Sequence, residues 1–297
     1  MTFRSGFACL LGRPNTGKST LTNALVGTKV AIMSDRPQTT RHAIRGIVHR
    51  PDAQLVLVDT PGFHRPRTLL GERLNELVVA TVSEVDVVVF CVPASDKVGP
   101  GDRFIAEQIR RAAPKTPVVA VVTKTDLVDR DTVGARLLQV AELGDWAEVV
   151  PVSAVNGFQV DLLTEVLLGR LPEGPPMYPD GELTDSPEAQ MVAELVREAA
   201  LEGVRDELPH SIAVVVEEIR RPAEPGGLVE IDAQLYVERD SQKGIVIGSG
   251  GERLRDVGTK ARRQIEALLG SKVYLDLRVK VAKDWQRDPK QLRRLGF

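Results

Sequence analysis

Gly12-Arg13-Pro14-Asn15-Thr16-Gly17-Lys18-Ser19 is the stretch that decides the fold of this 297-residue chain. It fits the phosphate-loop pattern G-x-x-x-x-G-K-[ST]. Phe7 to Leu11, just before it, is short and apolar, as a buried strand is. Thr20 to Val26, just after it, spaces its apolar residues on one helix face. Strand, glycine loop and helix start are the context the motif requires. Gly12 and Gly17 let the backbone turn its N–H groups inward with no Cβ in the way. Those groups and the helix N-terminus form an anion site. Gly12, Asn15, Thr16, Gly17, Lys18, Ser19 and Thr20 are therefore the candidate phosphate ligands. Lys18 is placed to reach the β- and γ-phosphates and Ser19 to take Mg2+.

Lys29 to Arg41 is polar and reads as a loop, and Ala43 to His49 as a strand. Gln54 to Asp59 is an apolar strand that ends in Asp59-Thr60-Pro61-Gly62. An aspartate at the C-terminal end of a parallel strand faces the ligand crevice of an open α/β sheet. Behind a phosphate loop, Asp59 reads as the carboxylate that holds Mg2+ through water, and Gly62 as an N–H donor to the γ-phosphate. Helical patterns over 69–83, 102–111, 132–143 and 158–168 then alternate with apolar strands over 86–92, 117–122 and 148–152. Such alternation predicts an α/β domain whose mostly parallel sheet is covered by helices on both faces.

The two cysteines, Cys9 and Cys91, each sit in an apolar run and read as small buried hydrophobes, with no metal or redox spacing. A reducing, cytoplasmic setting is expected. No apolar run approaches the length of a membrane span, and the first residues lead straight into a strand, so neither a transmembrane segment nor a signal peptide is expected. Net charge is −2 but unevenly spread: Arg239 to Phe297 holds 15 Lys+Arg against 7 Asp+Glu. A basic end on an acidic body points to an anionic partner. A merely solvated charged face stays open on charge alone.

Leu171 to Gly181 is rich in proline and glycine and reads as a semi-rigid linker. The expected division is a first domain over 1–171, a linker over 172–186, and a second domain over 187–297 ending in a basic tail. In the second domain Ser186 reads as a helix N-cap with Pro187 in the first turn. The order thereafter is strand, strand, helix, glycine loop, helix and strand.

Thr123-Lys124-Thr125-Asp126 resembles the N-K-x-D element of the guanine-nucleotide-binding GTPases, and Ser153-Ala154 their S-A-K element. The resemblance implies that Asp126 accepts from guanine N1–H and the 2-amino group, a donor pair adenine lacks. Lys124 would lie along the base, and a backbone N–H at Ser153-Ala154 would meet guanine O6. Thr123 stands where the family has asparagine and Val155 where it has lysine. A shorter side chain at 123 implies a weaker tie between base loop and phosphate loop. These GTPases also carry an effector-loop threonine that ligates Mg2+ when the γ-phosphate is present; Thr40 is the choice here and Thr39 the alternate. Phe63 follows Gly62, where Ras-like enzymes carry the glutamine that orients water. Catalysis must then draw on other groups beside Lys18, Thr40 and Gly62. Asn15 is one candidate, its amide oxygen holding a potassium ion beside the phosphates; a loop-stabilising amide is the alternative.

Gly248-Ser249-Gly250-Gly251, the apolar Ile245-Val246-Ile247 before it and the amphipathic stretch after it resemble the K-homology (KH) RNA-binding domain of bacterial type, a smaller α+β type II fold. Such a loop clamps a short single-stranded backbone. The resemblance implies that Lys243, Ile245, Ile247, Gly248, Ser249, Gly250 and Gly251 line the RNA groove. Phosphate contacts would come from Arg253, Arg255, Lys260, Arg262 and Arg263. In the tail, Trp285 or Phe297 is placed to stack on bases and Arg293 and Arg294 to meet phosphates; docking of Trp285 on the protein is the equal alternative.

Taken whole, with Pro37-Gln38-Thr39-Thr40-Arg41 and the ending Asp284 to Gly296, the chain resembles the TrmE–Era type of P-loop GTPase that carries a C-terminal KH domain. That implies hydrolysis of GTP to GDP with Mg2+, slow in the isolated protein. It implies small-subunit ribosomal RNA, near its 3′ end, and the ribosomal subunit as partners. It also implies occasional peripheral association with the inner face of the cell membrane, for which the sequence offers no amphipathic anchor. An RNA-binding factor with a slow or silent nucleotide sensor and a P-loop kinase are the competing readings; Asp126 argues against the kinase.

Overall fold

Runs of valine, leucine and isoleucine too apolar to face water on either side become the central strands of the first of two compact units. The computed structural model describes every residue except Met1, Asp35, Pro37, Gln38, His64, Arg65, Arg67, residues 205–207, Ala223 and Pro225. Pro37 and Gln38 of the motif above thus lie outside the described residues. In chain order the first unit holds β1 (Arg4–Leu11), α1 (Lys18–Val26), β2 (Ile44–Arg50), β3 (Ala53–Asp59), most of α2 (Leu69–Glu84), β4 (Val87–Pro93), α3 (Pro100–Ala112), β5 (Val118–Thr123), α4 (Arg130–Ala141), β6 (Glu148–Pro151) and α5 (Val160–Leu168).

Its strands form one sheet in the order β2-β3-β1-β4-β5-β6. Neighbours run parallel except β2, which is antiparallel to β3. Period-two alternation divides the core between the two faces. Ala8, Leu10, Val87, Val89 and Cys91 point to the face covered by Leu21 of α1 and Leu163 of α5. Cys9, Leu11, Val88 and Phe90 point to the face covered by Val78 of α2 and Ile105 of α3. Both cysteines are fully buried, and burial pushes each thiol up to about 12, in keeping with a packing role. β1 lies between β3 and β4, so the chain leaves β1 toward one side of the sheet and later returns to the other. A ligand crevice opens at such a switch point, and Gly12–Ser19 sits there.

The proline-rich segment after α5 belongs to this unit up to Asp185. Ser5 N–H donates to the Pro172 carbonyl at 3.1 Å and Gly174 N–H to the Phe3 carbonyl at 3.0 Å. Gln54, 1% exposed, accepts from the Met177 and Tyr178 N–H groups and donates to the Tyr178 carbonyl. Further on, Ile47 N–H of β2 donates to the Leu183 carbonyl at 2.9 Å, His49 Nε2 lies 2.7 Å from the Glu182 carbonyl, and Arg45 pairs with Asp185 at 2.8 Å. Proline excludes the segment from helix, and the extended chain finds its partners on the strands instead.

The second unit comprises Ser34–Thr39, Arg67–Leu70 and Ser186–Phe297. It contains α6 (Glu188–Leu201), α7 (Leu208–Ser211), β7 (Ala213–Arg220), β8 (Val229–Val237), α8 (Asp240–Ile247), α9 (Glu252–Leu269), β9 (Val273–Val281) and α10 (Pro289–Arg294). The sheet order is β7-β8-β9, antiparallel then parallel. α6 packs on α9 and β7, burying Val192, Val196 and Ala199 from one helix and Val257, Ala261 and Ile265 from the other. α6 starts at Glu188 with Pro187 as its N-cap, one residue later than Ser186 implied. No helix among the described residues is long and apolar enough to cross a membrane.

Candidate functional site

The loop between β1 and α1 is held open by its glycines. Gly12 has φ 159°, and a Cβ there would fall 2.5 Å from the Cys91 carbonyl oxygen; Gly17 has φ 89°. Asn15 adopts φ 63° and is exposed, at the rim of the loop. Lys18 is buried, its Nζ donating to the Arg13 carbonyl at 2.9 Å and the Gly12 carbonyl at 3.3 Å. Thr16 Oγ1 donates to the same Arg13 carbonyl at 3.0 Å. Thr20 follows Ser19 in the first turn of α1.

Ser19, Thr40 and Asp59 come together. Ser19 Oγ donates to Asp59 Oδ2 at 2.6 Å, Thr40 Oγ1 donates to the same oxygen at 3.3 Å, and the two hydroxyls are 3.1 Å apart. Asp59 Oδ1 is buried with no hydrogen-bond partner among the described residues. Two hydroxyls and a carboxylate with a spare buried oxygen are the hard donors that suit Mg2+. Thr39, the alternate, instead donates its hydroxyl to the Arg36 carbonyl at 2.6 Å. Burial pushes the Lys18 ammonium down and the Asp59 carboxyl up, while their mutual attraction opposes both shifts. A bound polyphosphate and divalent cation supply the opposite charges this pair needs.

Gly62 lies against the phosphate loop: a Cβ there would come within 2.9 Å of the Pro14 nitrogen. Phe63 is buried in the core and meets Phe104 of α3 edge-on, with ring centroids 6.3 Å apart. It takes no part in orienting water.

At the other end of the crevice, Thr123 Oγ1 donates to the Thr16 carbonyl at 2.6 Å. The hydroxyl thus ties base loop to phosphate loop directly, and the shorter side chain does not leave that tie unmade. Lys124 takes φ 57°, directing Thr125–Leu127 into a 3-10 turn that presents the exposed Asp126. Ser153 Oγ donates to Asp126 Oδ1 at 2.6 Å, fixing the carboxylate beside Ser153-Ala154. Val155, where lysine was expected, is 78% exposed.

In the second unit, α8 ends at Gly248 with φ 74°, and Gly250 and Gly251 follow at 56° and 78°. A Cβ at Gly248 would strike Arg253, whereas Gly250 and Gly251 face open space. The side of the loop carrying Ser249 and Gly250 is therefore accessible to another backbone. Ile245 is exposed, Ile247 is half-buried, and Val246 turns into the core. Lys243 is half-buried; Arg255, Arg262, Arg263, Arg293 and Arg294 are exposed, the last lying over the Tyr236 ring.

Three sequence expectations change. Arg253 is committed to the protein, donating to the Glu202 carbonyl at 2.8 Å, which fastens the start of α9 to the end of α6. Lys260 is paired with Glu202 at 2.6 Å and Asp256 at 3.2 Å, so its charge is already answered. Trp285 is fully buried, with Nε1 donated to the Ser211 carbonyl at 3.0 Å and its ring stacked on Phe297 at 5.5 Å. Its faces are spent on the protein, so no base stacks on it.

Residues 7–124 match the family model described as "50S ribosome-binding GTPase" and residues 207–286 the model "KH domain". GTPase Era of Mycobacterium sp. (strain KMS) is 69% identical over 296 residues, 99% of each chain. GTPase Era of Streptomyces coelicolor is 67% identical, over 99% of this chain and 95% of its own. The chain belongs to the Era GTPase family. Two solved Era structures match with TM-score 0.94 over 99% of each chain. One, at 37% identity, is Era in complex with MgGDPNP and nucleotides 1506-1542 of 16S ribosomal RNA; the other, at 36%, is an Aquifex aeolicus Era variant bound to GDP.AlF4-.

The phosphate loop makes a further contact that the sequence did not suggest. Arg13 lies along the first turn of α3, its Nε donating to the fully buried Asp102 at 2.8 Å. The only sequence hint is an acidic residue three positions after Gly99, where a helix N-terminus favours a carboxylate.

Proposed function

We propose that this Era-family GTPase hydrolyses GTP with Mg2+ held by Ser19, Thr40 and Asp59 and binds the 3′ region of small-subunit ribosomal RNA through its G-x-x-G loop, as a cytoplasmic assembly factor. The division is a GTPase domain over 1–171, a connecting segment over 172–186 that packs on that domain up to Asp185, and a KH domain over 187–297. The observation that carries the nucleotide half is the spare, buried Oδ1 of Asp59 beside two converging hydroxyls. Mg2+ there would neutralise charge on the β- and γ-phosphates. Gly12, Asn15, Thr16, Gly17 and Thr20 would surround the phosphates, Lys18 would reach them, and the Gly62 N–H would meet the γ-phosphate. Asp126 would select guanine, with Lys124 along the base and Ser153-Ala154 at its edge. Loss of the γ-phosphate would free Thr40 and Gly62 together, the order-to-disorder switch such loops use.

Phe63 in the core favours hydrolysis that is slow in the isolated protein, since no side chain at that position orients water. Asn15, exposed beside the phosphate loop, is the residue that would hold a potassium ion at the developing charge. On the RNA side, Ile245, Ile247, Ser249, Gly250 and Gly251 would line the groove, with Lys243, Arg255, Arg293 and Arg294 supplying charge.

Crosslinking of the full chain to total cellular RNA with GTP, GDP or no nucleotide tests this reading. Enrichment of the small-subunit 3′ end, strongest with GTP and lost in Gly251→Asp, is expected. A Cβ at 251 meets open space, and aspartate enters the φ of 78° there only with some strain, so retained GTP binding is the control that the protein is folded while a negative charge meets the RNA backbone. Uniform recovery of all RNA in every nucleotide state would overturn it.

A further inference from the structure

The phosphate loop contains an arginine whose side chain runs to the first turn of α3. Arg13 Nε donates to Asp102 Oδ1 at 2.8 Å, and Arg13 Nη2 lies 3.5 Å from the more exposed Asp96. Asp102 is wholly buried, and its second oxygen accepts the Gly99 N–H at 2.9 Å, closing the N-terminal cap of α3. Gly101 makes room for this arrangement, because a Cβ there would stand 2.7 Å from Arg13 Cδ. The backbone of the same arginine is the hub of the loop: its carbonyl takes both the Lys18 ammonium and the Thr16 hydroxyl.

We propose that Arg13, anchored by Asp102, is a positioning residue for Lys18: the ion pair fixes residue 13 so that its carbonyl holds the ammonium where the β- and γ-phosphates arrive. The proposal rests on the nucleotide-site reading above. Pairing with a buried carboxylate gives the side chain one geometry, because that carboxylate is itself held by the Gly99 N–H and cannot follow a displaced guanidinium. Without the anchor the loop keeps its glycines and its fold, but the carbonyl that orients Lys18 is no longer set from outside the loop.

GDP affinity measured by calorimetry on the full-length wild type, Arg13→Gln, Lys18→Ala and the double variant tests this. Arg13→Gln keeps the Gly99 N–H bond to Asp102 and removes the anchor, leaving that buried carboxylate without its counter-charge. It should weaken GDP about tenfold, the scale of a lost charged hydrogen bond, and lower kcat for GTP as well. In the Lys18→Ala background the same change should cost less than twofold, since the group it positions is gone. Arg13→Lys, which still reaches Asp102 as a point charge, should recover part of the loss. Asp102→Asn should behave like Arg13→Gln. Equal losses with and without Lys18, or no loss in the wild-type background, would overturn the proposal. A wild type that binds GDP but hydrolyses no GTP would count against the enzymatic reading, while the affinity cycle would still decide the role of Arg13.

Discussion

Thr123→Val replaces a buried hydroxyl by a methyl of the same shape and so isolates one hydrogen bond. Thr123 is 4% exposed and Thr16 1% exposed, and the bond between them is 2.6 Å. Valine fills the same space but strands the Thr16 carbonyl. A buried acceptor deprived of its donor costs about 1–3 kcal/mol, which spread over a binding equilibrium is a factor of about 5 to 150. How the cost divides is itself informative. A loop already held by the tie before nucleotide arrives puts the cost into unfolding free energy, and GDP affinity stays near wild type. A loop that the tie holds only around bound nucleotide puts it into affinity. Urea unfolding of the nucleotide-free chain and calorimetric titration with GDP measure the two parts. Their sum should fall in the stated range, and Thr123→Asn, which keeps an amide donor, should lose less. A sum below about 0.5 kcal/mol would show that the hydroxyl does no structural work between the two loops.

Asp126→Asn should shift preference from GTP toward xanthosine triphosphate, because the amide reverses the hydrogen-bond polarity at the base; a competition assay with the wild-type margin for GTP would refute the assignment. Ser19→Ala should raise the Mg2+ concentration needed for half-maximal hydrolysis about tenfold or more, with little effect on GDP affinity measured in chelator; an unchanged Mg2+ midpoint would remove Ser19 from the metal site. Hydrolysis should run faster in potassium than in sodium at equal ionic strength, and Asn15→Ala should abolish the difference; equal rates in both salts, with and without RNA, would dispose of the cation. RNA affinity should fall steeply with salt as basic side chains displace counterions, and a flat response in a filter-binding titration would argue that the second unit binds no RNA.

The phosphate loop was legible because its chemistry is local: two glycines, a lysine and a serine at fixed spacing between an apolar run and a helical one. The central strands were legible for a related reason, since Val87 to Pro93 and Val118 to Thr123 are buried on both faces and need no partner to be recognised. What depended on tertiary neighbours was not. Trp285 could stack on a base or on the protein, and only the position of Ser211 and Phe297 decides it. Arg253 and Lys260 read as free cations until Glu202, some 50 positions away, is found beside both. Arg13 looked like any variable position of the motif until α3 brought Asp102 to it. Thr123 seemed too short for its task because side-chain length is visible in sequence and loop separation is not.

The segment between α5 and Asp185 also answers a hazard that the sheet order creates. β2 is the last strand on its side, and a bare outermost strand offers its unpaired N–H and C=O groups to any other chain. Ile47 N–H is given to Leu183, and charged Arg45 and Asp185 stand over the same edge. The tether to the second unit therefore doubles as a guard against intermolecular strand pairing. A fragment ending at Leu171 would keep every residue proposed to bind nucleotide and still be the more aggregation-prone molecule, while one ending at Asp185 would keep its edge covered.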